Sequence, residues 1–227
     1  MKIVIYTAIS GSYDCLLPPT CLSKNCDYVC FADNPCVKSD VWKVVPFPDN
    51  SLDAVRKCRY VKICPHLFFP EYDYSVWVDA NVDMHQDIEA FLGGNFPTIN
   101  CFKHPVRNCI YKEARICTKI KKDSPSLIGK QIETYKKAGF PSNFGLIESN
   151  VLLRAHNHPA CINVMEAWWQ EVKAYSRRDQ ISFNYAIWKT GASYHLMVGN
   201  ARNGKNPCFT VRAGGHHRCP KDFYDDK

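Results

Sequence analysis

No stretch of this 227-residue sequence comes near the ~18 consecutive apolar residues that cross a bilayer. Nor does it open with the charged, apolar and cleavage regions of a secretory leader: Met1-Lys2-Ile3-Val4-Ile5-Tyr6 reads as a strand from the start. The expectation is a soluble, cytoplasmic chain with no membrane segment, or a domain excised from a larger or membrane-anchored protein. Internal repeats and linker-like stretches are missing too, so residues 1–227 are expected to form one domain with a core of its own.

Two nucleotide signatures are also absent. There is no G-x-G-x-x-G after the first strand and no G-x-x-x-x-G-K-[ST], which weakens dehydrogenase and P-loop readings. Thirteen cysteines are many, but the number is odd and the chain is too long for a disulfide scaffold. Cys15, Cys21, Cys26, Cys30 and Cys36 lack paired C-x-x-C knuckles, so they read as reduced, mostly buried thiols rather than zinc ligands. A net charge of +7 points to an anionic ligand. The basic residues are interleaved with acids and no nucleic-acid motif is visible, so nucleic acid is not expected as a partner. The one compact basic run, Lys119-Ile120-Lys121-Lys122, reads as a solvated helix end.

What is present centres on Tyr74-Ser75-Val76-Trp77-Val78-Asp79-Ala80-Asn81-Val82-Asp83. Alternating bulky residues predict a buried strand, after which Asp79, Asn81 and Asp83 follow at a spacing of two. In extended backbone such residues project to one side, so their oxygens can converge beyond the strand's end. Ligands of open α/β sheets bind past the carboxyl ends of strands, and carboxylate and amide oxygens suit Mg²⁺ or Mn²⁺. The same residues also fit a polar turn capping the next helix.

Elsewhere, strands are predicted over residues 2–7, 27–32, 42–45, 98–103, 143–154 and 193–198. Helices are predicted over 52–63, 86–93, 108–138 with a break near Ser124-Pro125, and 159–175, and another is capped by Arg177-Arg178-Asp179-Gln180. Alternating strands and helices argue for an α/β sheet, mixed rather than purely parallel. Arg56, Arg59 and Lys62, at spacing three, can present cations to one phosphate cluster or form an ordinary solvated face. Tyr13, in the loop after the first strand, can stack on a flat base. Asp33 fits either a turn or a bond to a base edge. Glu148 lies alone in an apolar strand, where a charge is costly to bury without a partner, and so is a site candidate unless it sits at an edge.

Several segments together resemble one family: "IYTAISGSYD", "RKCRYVKICPHLFFPEYDYSVWVDAN", "KHPVRNCIYKEA", "RRDQISFNYAIWK" and the closing His pair. They are similar to the glycosyltransferase-like domain of plant Golgi hexosyltransferase-like proteins, bacteria and large DNA viruses, across roughly residues 2–217. More distantly, the layout resembles glycogenin-type enzymes. The resemblance implies a GT-A (Rossmann-like) fold with a mixed, mostly parallel central sheet flanked by helices. It implies a nucleotide-diphosphate sugar donor, UDP-hexose or UDP-deoxyhexose, held through Mn²⁺ or Mg²⁺, and a hydroxyl of a glycan or glycoprotein acceptor.

Position by position, Asp79, Ala80 and Asn81 stand at the family's Asp-x-Asp. The second place is Asn, a poorer ligand, so Asp83 is expected to share the metal with it. His216 or His217 matches the late metal-ligating histidine, although the His-x-x-Gly motif is absent. Asp179 and Gln180 match the pair beside the donor sugar, and with Glu148 they are the catalytic candidates. Thr7, Ala8, Ile9, Tyr13 and Asp33 would hold the nucleotide; Arg56, Arg59 and Lys62 its phosphates; Lys103, His104 and Arg107 the acceptor. Similarity to glycogenin-type enzymes leans toward retention of configuration. Two rivals are a sugar nucleotidyltransferase, for which Ser10-Gly11-Ser12 is too sparse a loop, and a non-catalytic carbohydrate- or nucleic-acid-binding module.

Overall fold

A computed structural model of the chain describes residues 1–11, 13–214 and 216. Its main sheet has seven strands in the order β3-β2-β1-β4-β7-β6-β8. These are β1 (Ile3–Ile9), β2 (Cys26–Ala32), β3 (Lys43–Val45), β4 (Tyr74–Val78), β6 (Ile99–Lys103), β7 (Ile147–Arg154) and β8 (His195–Met197). Pairings β1–β2, β1–β4, β2–β3 and β6–β8 are parallel, whereas β4–β7 and β6–β7 are antiparallel. The mixed, mostly parallel sheet that the resemblance implied is therefore the one present.

The central strands are buried on both faces, which is why β1 reads as continuous apolar sequence rather than as alternation. Val4, Tyr6 and Trp77 pack on one face against α1 (Ala54–Ile63), α5 (Pro159–Ala174) and α6 (Phe183–Thr190). Ile3, Ile5 and Val76 pack on the other, against α2 (Ile88–Leu92) and a two-stranded sheet of β5 (Val82–Met84) and β9 (Phe209–Val211). A third cluster joins α3 (Ile110–Lys119) and α4 (Pro125–Lys137) to Ile181 and Tyr185. No described helix is long and apolar enough to cross a membrane.

Two local departures from the sequence reading matter for the site. The central strand ends at Val78, where the apolar run stops, but the extended backbone expected through Asp79, Asn81 and Asp83 is instead a turn closed by Val82 N donating to Asp79 O (2.8 Å), which sends β5 into the small sheet. Its partner β9 lies beyond the last predicted strand, in a Gly- and Asn-rich segment where no local signal announced it. In β7, Cys101 faces Leu152 but its neighbour Phe102 faces Glu148, so Ser149, Asn150 and Val151 bulge out of the pairing with β6. Bulges of this kind re-aim side chains, and they concentrate beside active sites.

Strand order reverses between β1 and β4: β2 and β3 extend to one side of β1, and β4 and β7 to the other. That reversal places a crevice outside the carboxyl ends of β1 and β4.

Candidate functional site

A cleft of about 550 Å³ opens at this point. Ala8, Ile9 and Ser10 enter it from the end of β1, Asp79 and Ala80 from the end of β4, Glu148 from β7, and Ser149 and Asn150 from the bulge that follows it. Arg59 and Lys62 come from α1, and Asp179 and Gln180 from the 3-10 turn Asp179–Ile181.

Asp179 anchors the floor at 1% exposure. Its Oδ2 lies 2.7 Å from Lys62 Nζ and accepts from Ser149 Oγ at 2.9 Å, while Arg59 Nε stands 3.4 Å from Oδ1. Burial by itself would raise this carboxyl, but Arg59, Lys62 and Arg178 outweigh it and hold the group well below the usual carboxylate range. Lys62, at 1% exposure, also donates to Ser149 Oγ at 3.0 Å and stands 3.7 Å from Asp79 Oδ1. Desolvation pulls its ammonium below the ordinary lysine value against the opposing pull of Asp179 and Asp79. Asp79 Oδ1 also accepts from Trp77 Nε1 at 2.8 Å, and one buried lysine joins this strand-end acid to Asp179 on the 3-10 turn.

Glu148 is 3% exposed, and burial pushes its carboxyl up. Its Oε1 pairs with Arg202, from the loop before β9, while Oε2 is buried without a partner among the described residues. At the rim, the Tyr13 ring lies 4.7 Å from that of His216, whose Nδ1 is 2.9 Å from Asp14 Oδ2. Lys122, Arg177 and Arg178 line the opposite wall, where Asp123 fixes the backbone by accepting from Ser176 Oγ (2.7 Å) and Arg177 N (2.8 Å).

Several expected residues lie elsewhere. Arg56 is turned away, donating to Val172 O, Tyr175 O and Asp53. A three-residue step falls about 60° short of a helical turn, so over six residues Arg56 and Lys62 diverge by about 120°. The expected single face therefore holds only Arg59 and Lys62. Asp83 is bound by Thr20 N and Oγ1 and by Arg212, on β5 outside the cleft, and the Asn81 carbonyl accepts from Arg212 N. The turn after Asp79 is what separates the three oxygens that an extended strand would have aligned.

Asp33 ties the loop after β1 by accepting from Ser10 Oγ (2.6 Å) and Gly11 N (2.7 Å), with Lys57 Nζ at 2.7 Å, and does not line the cleft. The Thr7 side chain borders a separate small cavity with Leu16 and Trp42. Lys103, His104 and Arg107 also lie off the cleft: His104 Nδ1 accepts from the Val106 and Arg107 amides, and Arg107 Nε donates to Glu113 at 2.6 Å. His217 is outside the described residues.

Sequence reasoning missed Ser149, Asn150, Lys122 and Arg202. A signal existed for the first two, since Glu148-Ser149-Asn150 is a polar triplet inside an apolar strand. Lys122 was hidden in a basic run, and Arg202 in a segment without periodicity.

Among the described residues no three His, Cys, Asp or Glu side chains group as a metal set. Mg²⁺-like ions, however, are commonly held by one or two carboxylates plus substrate phosphates. Asp79 and His216 line the same cleft, and no protein group among the described residues bonds Asp79 Oδ2. That donor set fits a divalent cation completed by a diphosphate.

The model of the TOD1/MUCI70 glycosyltransferase-like domain matches residues 33–203. A probable hexosyltransferase MUCI70 of Arabidopsis thaliana is 27% identical over 208 residues, 82% of this chain and 34% of that protein. The chain thus spans about a third of that relative's length. In fold it is similar to the apo crystal structure of mouse xyloside xylosyltransferase 1, with a TM-score of 0.51 and 13% identity over 87% of this chain and 85% of the other.

Proposed function

The chain belongs to the TOD1/MUCI70 glycosyltransferase-like domain family, and from that premise we propose that it transfers a hexose or deoxyhexose from a UDP-linked donor to a hydroxyl of a glycan or glycoprotein. The observation that carries this reading is the Asp79–Lys62–Asp179–Arg59 network, built around the buried Lys62–Asp179 pair at the strand-order reversal, where a phosphorylated ligand is expected.

In the proposed reaction the bond from C1 of the sugar to the phosphate oxygen breaks, its electron pair leaves with the diphosphate, and the acceptor oxygen bonds to C1. Arg59 and Lys62 supply fixed positive charge beside the departing group, and preorganised charge of this kind is commonly the largest catalytic contribution. Tyr13, at the exposed rim, stacks on the base, and the backbone of Ala8 and Ile9 lines the nucleotide. Asp79 and His216 are the residues that would hold Mn²⁺ or Mg²⁺, which supplies further neutralisation of the diphosphate when bound.

Three cations make Asp179 a poor proton acceptor. It serves instead as a fixed negative charge supporting an oxocarbenium-like centre, the role a retaining course asks of it. Glu148, with its raised carboxyl and an unpartnered oxygen, is the better group to take the acceptor's proton.

The test is UDP release from a panel of UDP-sugars with Mn²⁺ present. Asp79→Ala and Asp179→Ala are each expected to abolish transfer while circular dichroism shows the fold retained. Full activity in both variants refutes the proposal, and full activity in excess EDTA refutes its metal-dependent form.

A further inference from the structure

Asn150 has an unusual position. It is 5% exposed, it lines the cleft, and neither Oδ1 nor Nδ2 has a hydrogen-bond partner among the described residues. A buried amide left unpaired is costly, and native structures normally satisfy both ends. Asn150 sits in the part of β7 that bulges out of the pairing with β6, while its carbonyl accepts from Asp79 N at 2.8 Å. The backbone is thus locked to the β4 end while the side chain is released from the ladder. A simple space-filling residue has no need of an amide here, and the adjoining Val151 and Leu152 show how the same strand is filled where no ligand comes.

We infer that Asn150 is a specificity-determining residue that reads hydroxyl groups of the transferred sugar, an inference that rests on the sugar-transfer reading above. The chemistry of the group selects the ligand. An amide offers one acceptor and two donor hydrogens side by side. Neighbouring sugar hydroxyls both donate and accept, so a vicinal pair satisfies both ends at once, whereas a phosphate satisfies only Nδ2 and an apolar group neither. The phosphate-neutralising cations Arg59 and Lys62 come from α1, whereas Asn150 lies on β7, its backbone bonded to Asp79 at the end of β4 and two residues along from Glu148. A sugar attached to a diphosphate held at Asp79 would reach it. Recognition of this kind rejects an analogue lacking the hydroxyl far more strongly than a hydrophobic pocket rejects a missing methylene, because the protein's amide is then left unpaired.

The experiment measures kcat/KM for UDP release with UDP-glucose, UDP-galactose and UDP-xylose. The best of the three is then compared with its singly deoxygenated analogues, in the parent protein, Asn150→Ala and the isosteric Asn150→Asp. The parent is expected to lose about tenfold or more in kcat/KM when one particular hydroxyl is removed. In Asn150→Ala that discrimination falls to within about threefold, and Asn150→Asp, which lacks the donor, changes which deoxy analogue is penalised. UDP alone, titrated calorimetrically, binds all three proteins within about twofold, and this also shows that each variant is folded. Discrimination unchanged in both variants overturns the inference while leaving sugar transfer standing. A parent protein that binds UDP but releases none from any UDP-sugar overturns the transfer reading and the inference with it.

Discussion

At the scale of single residues the site is a balance of buried charges. Asp179 and Lys62 are each 1% exposed and are one another's nearest charge, so removing one leaves the other buried with only more distant charged partners. Asp179→Asn is expected to cost about 3–5 kcal/mol in urea unfolding. The paired change Lys62→Met with Asp179→Leu should recover most of that, because the two sites are in contact and their effects do not add. Neither protein should transfer sugar, which would separate the catalytic role of the charge from its structural one. Glu148 makes the opposite prediction. Its carboxyl is raised in the folded state, so the native protein holds that proton more tightly than the unfolded chain does. The resulting stability is complete below the ordinary glutamate value and is lost as pH rises through the raised one. Glu148→Gln should therefore melt higher than the parent at neutral pH, with the difference shrinking in acid, while its transfer rate falls by about 10²-fold or more. Both acids were visible in the sequence for different reasons. Glu148 stood out as a charge in an apolar strand, whereas Asp179 was identified by family resemblance alone. Asn150 belongs to the polar triplet Glu148-Ser149-Asn150, but the charge of Glu148 drew the reading and the uncharged amide beside it went unnoticed.

At the scale of elements, what the sequence conveyed was hydrophobic periodicity, and what it withheld was turning. The Pro125 start of α4 and the Pro159 start of α5 were legible as helix punctuation, and β1, β2 and β7 as apolar runs. The turn at Asp79–Val82 was not: Asp-Ala-Asn-Val-Asp fits an extended strand as readily as a turn, and the choice is made by β9, far along the chain. The loop that carries Arg202 to Glu148 is similarly set by tertiary packing. Asn200 Oδ1 accepts from the Arg202 and Asn203 amides, and Gly199 (φ +74°) passes so close to Lys205 that an added Cβ would meet its carbonyl oxygen at 2.8 Å. Gly199→Ala is expected to destabilise the protein by roughly 1–3 kcal/mol through backbone strain. It should also lower kcat/KM by displacing Arg202, a loss read in the same UDP-release assay.

For the whole molecule, two packed faces of one sheet supply the stability, and no disulfide joins two described cysteines. Burial pushes the Cys161 thiol up to about 11 and those of Cys26, Cys58 and Cys208 up to about 12, which keeps them unreactive near neutrality. The melting midpoint should therefore be the same with and without dithiothreitol, and among the described cysteines Cys36, the exposed one, should be alkylated first under native conditions. A midpoint that drops on reduction would contradict this account.

The pairing of β5 with β9 has a consequence during synthesis. Val82–Met84 leave the ribosome well before Phe209–Val211, which, together with Arg202 and His216, emerge only after the long stretch between the two strands has been made. At roughly 5–20 residues per second, many seconds separate the two. Over that interval the nascent domain can assemble β1, β2 and β4 but not a finished cleft, leaving the apolar edge of β5 in need of a temporary companion such as a chaperone.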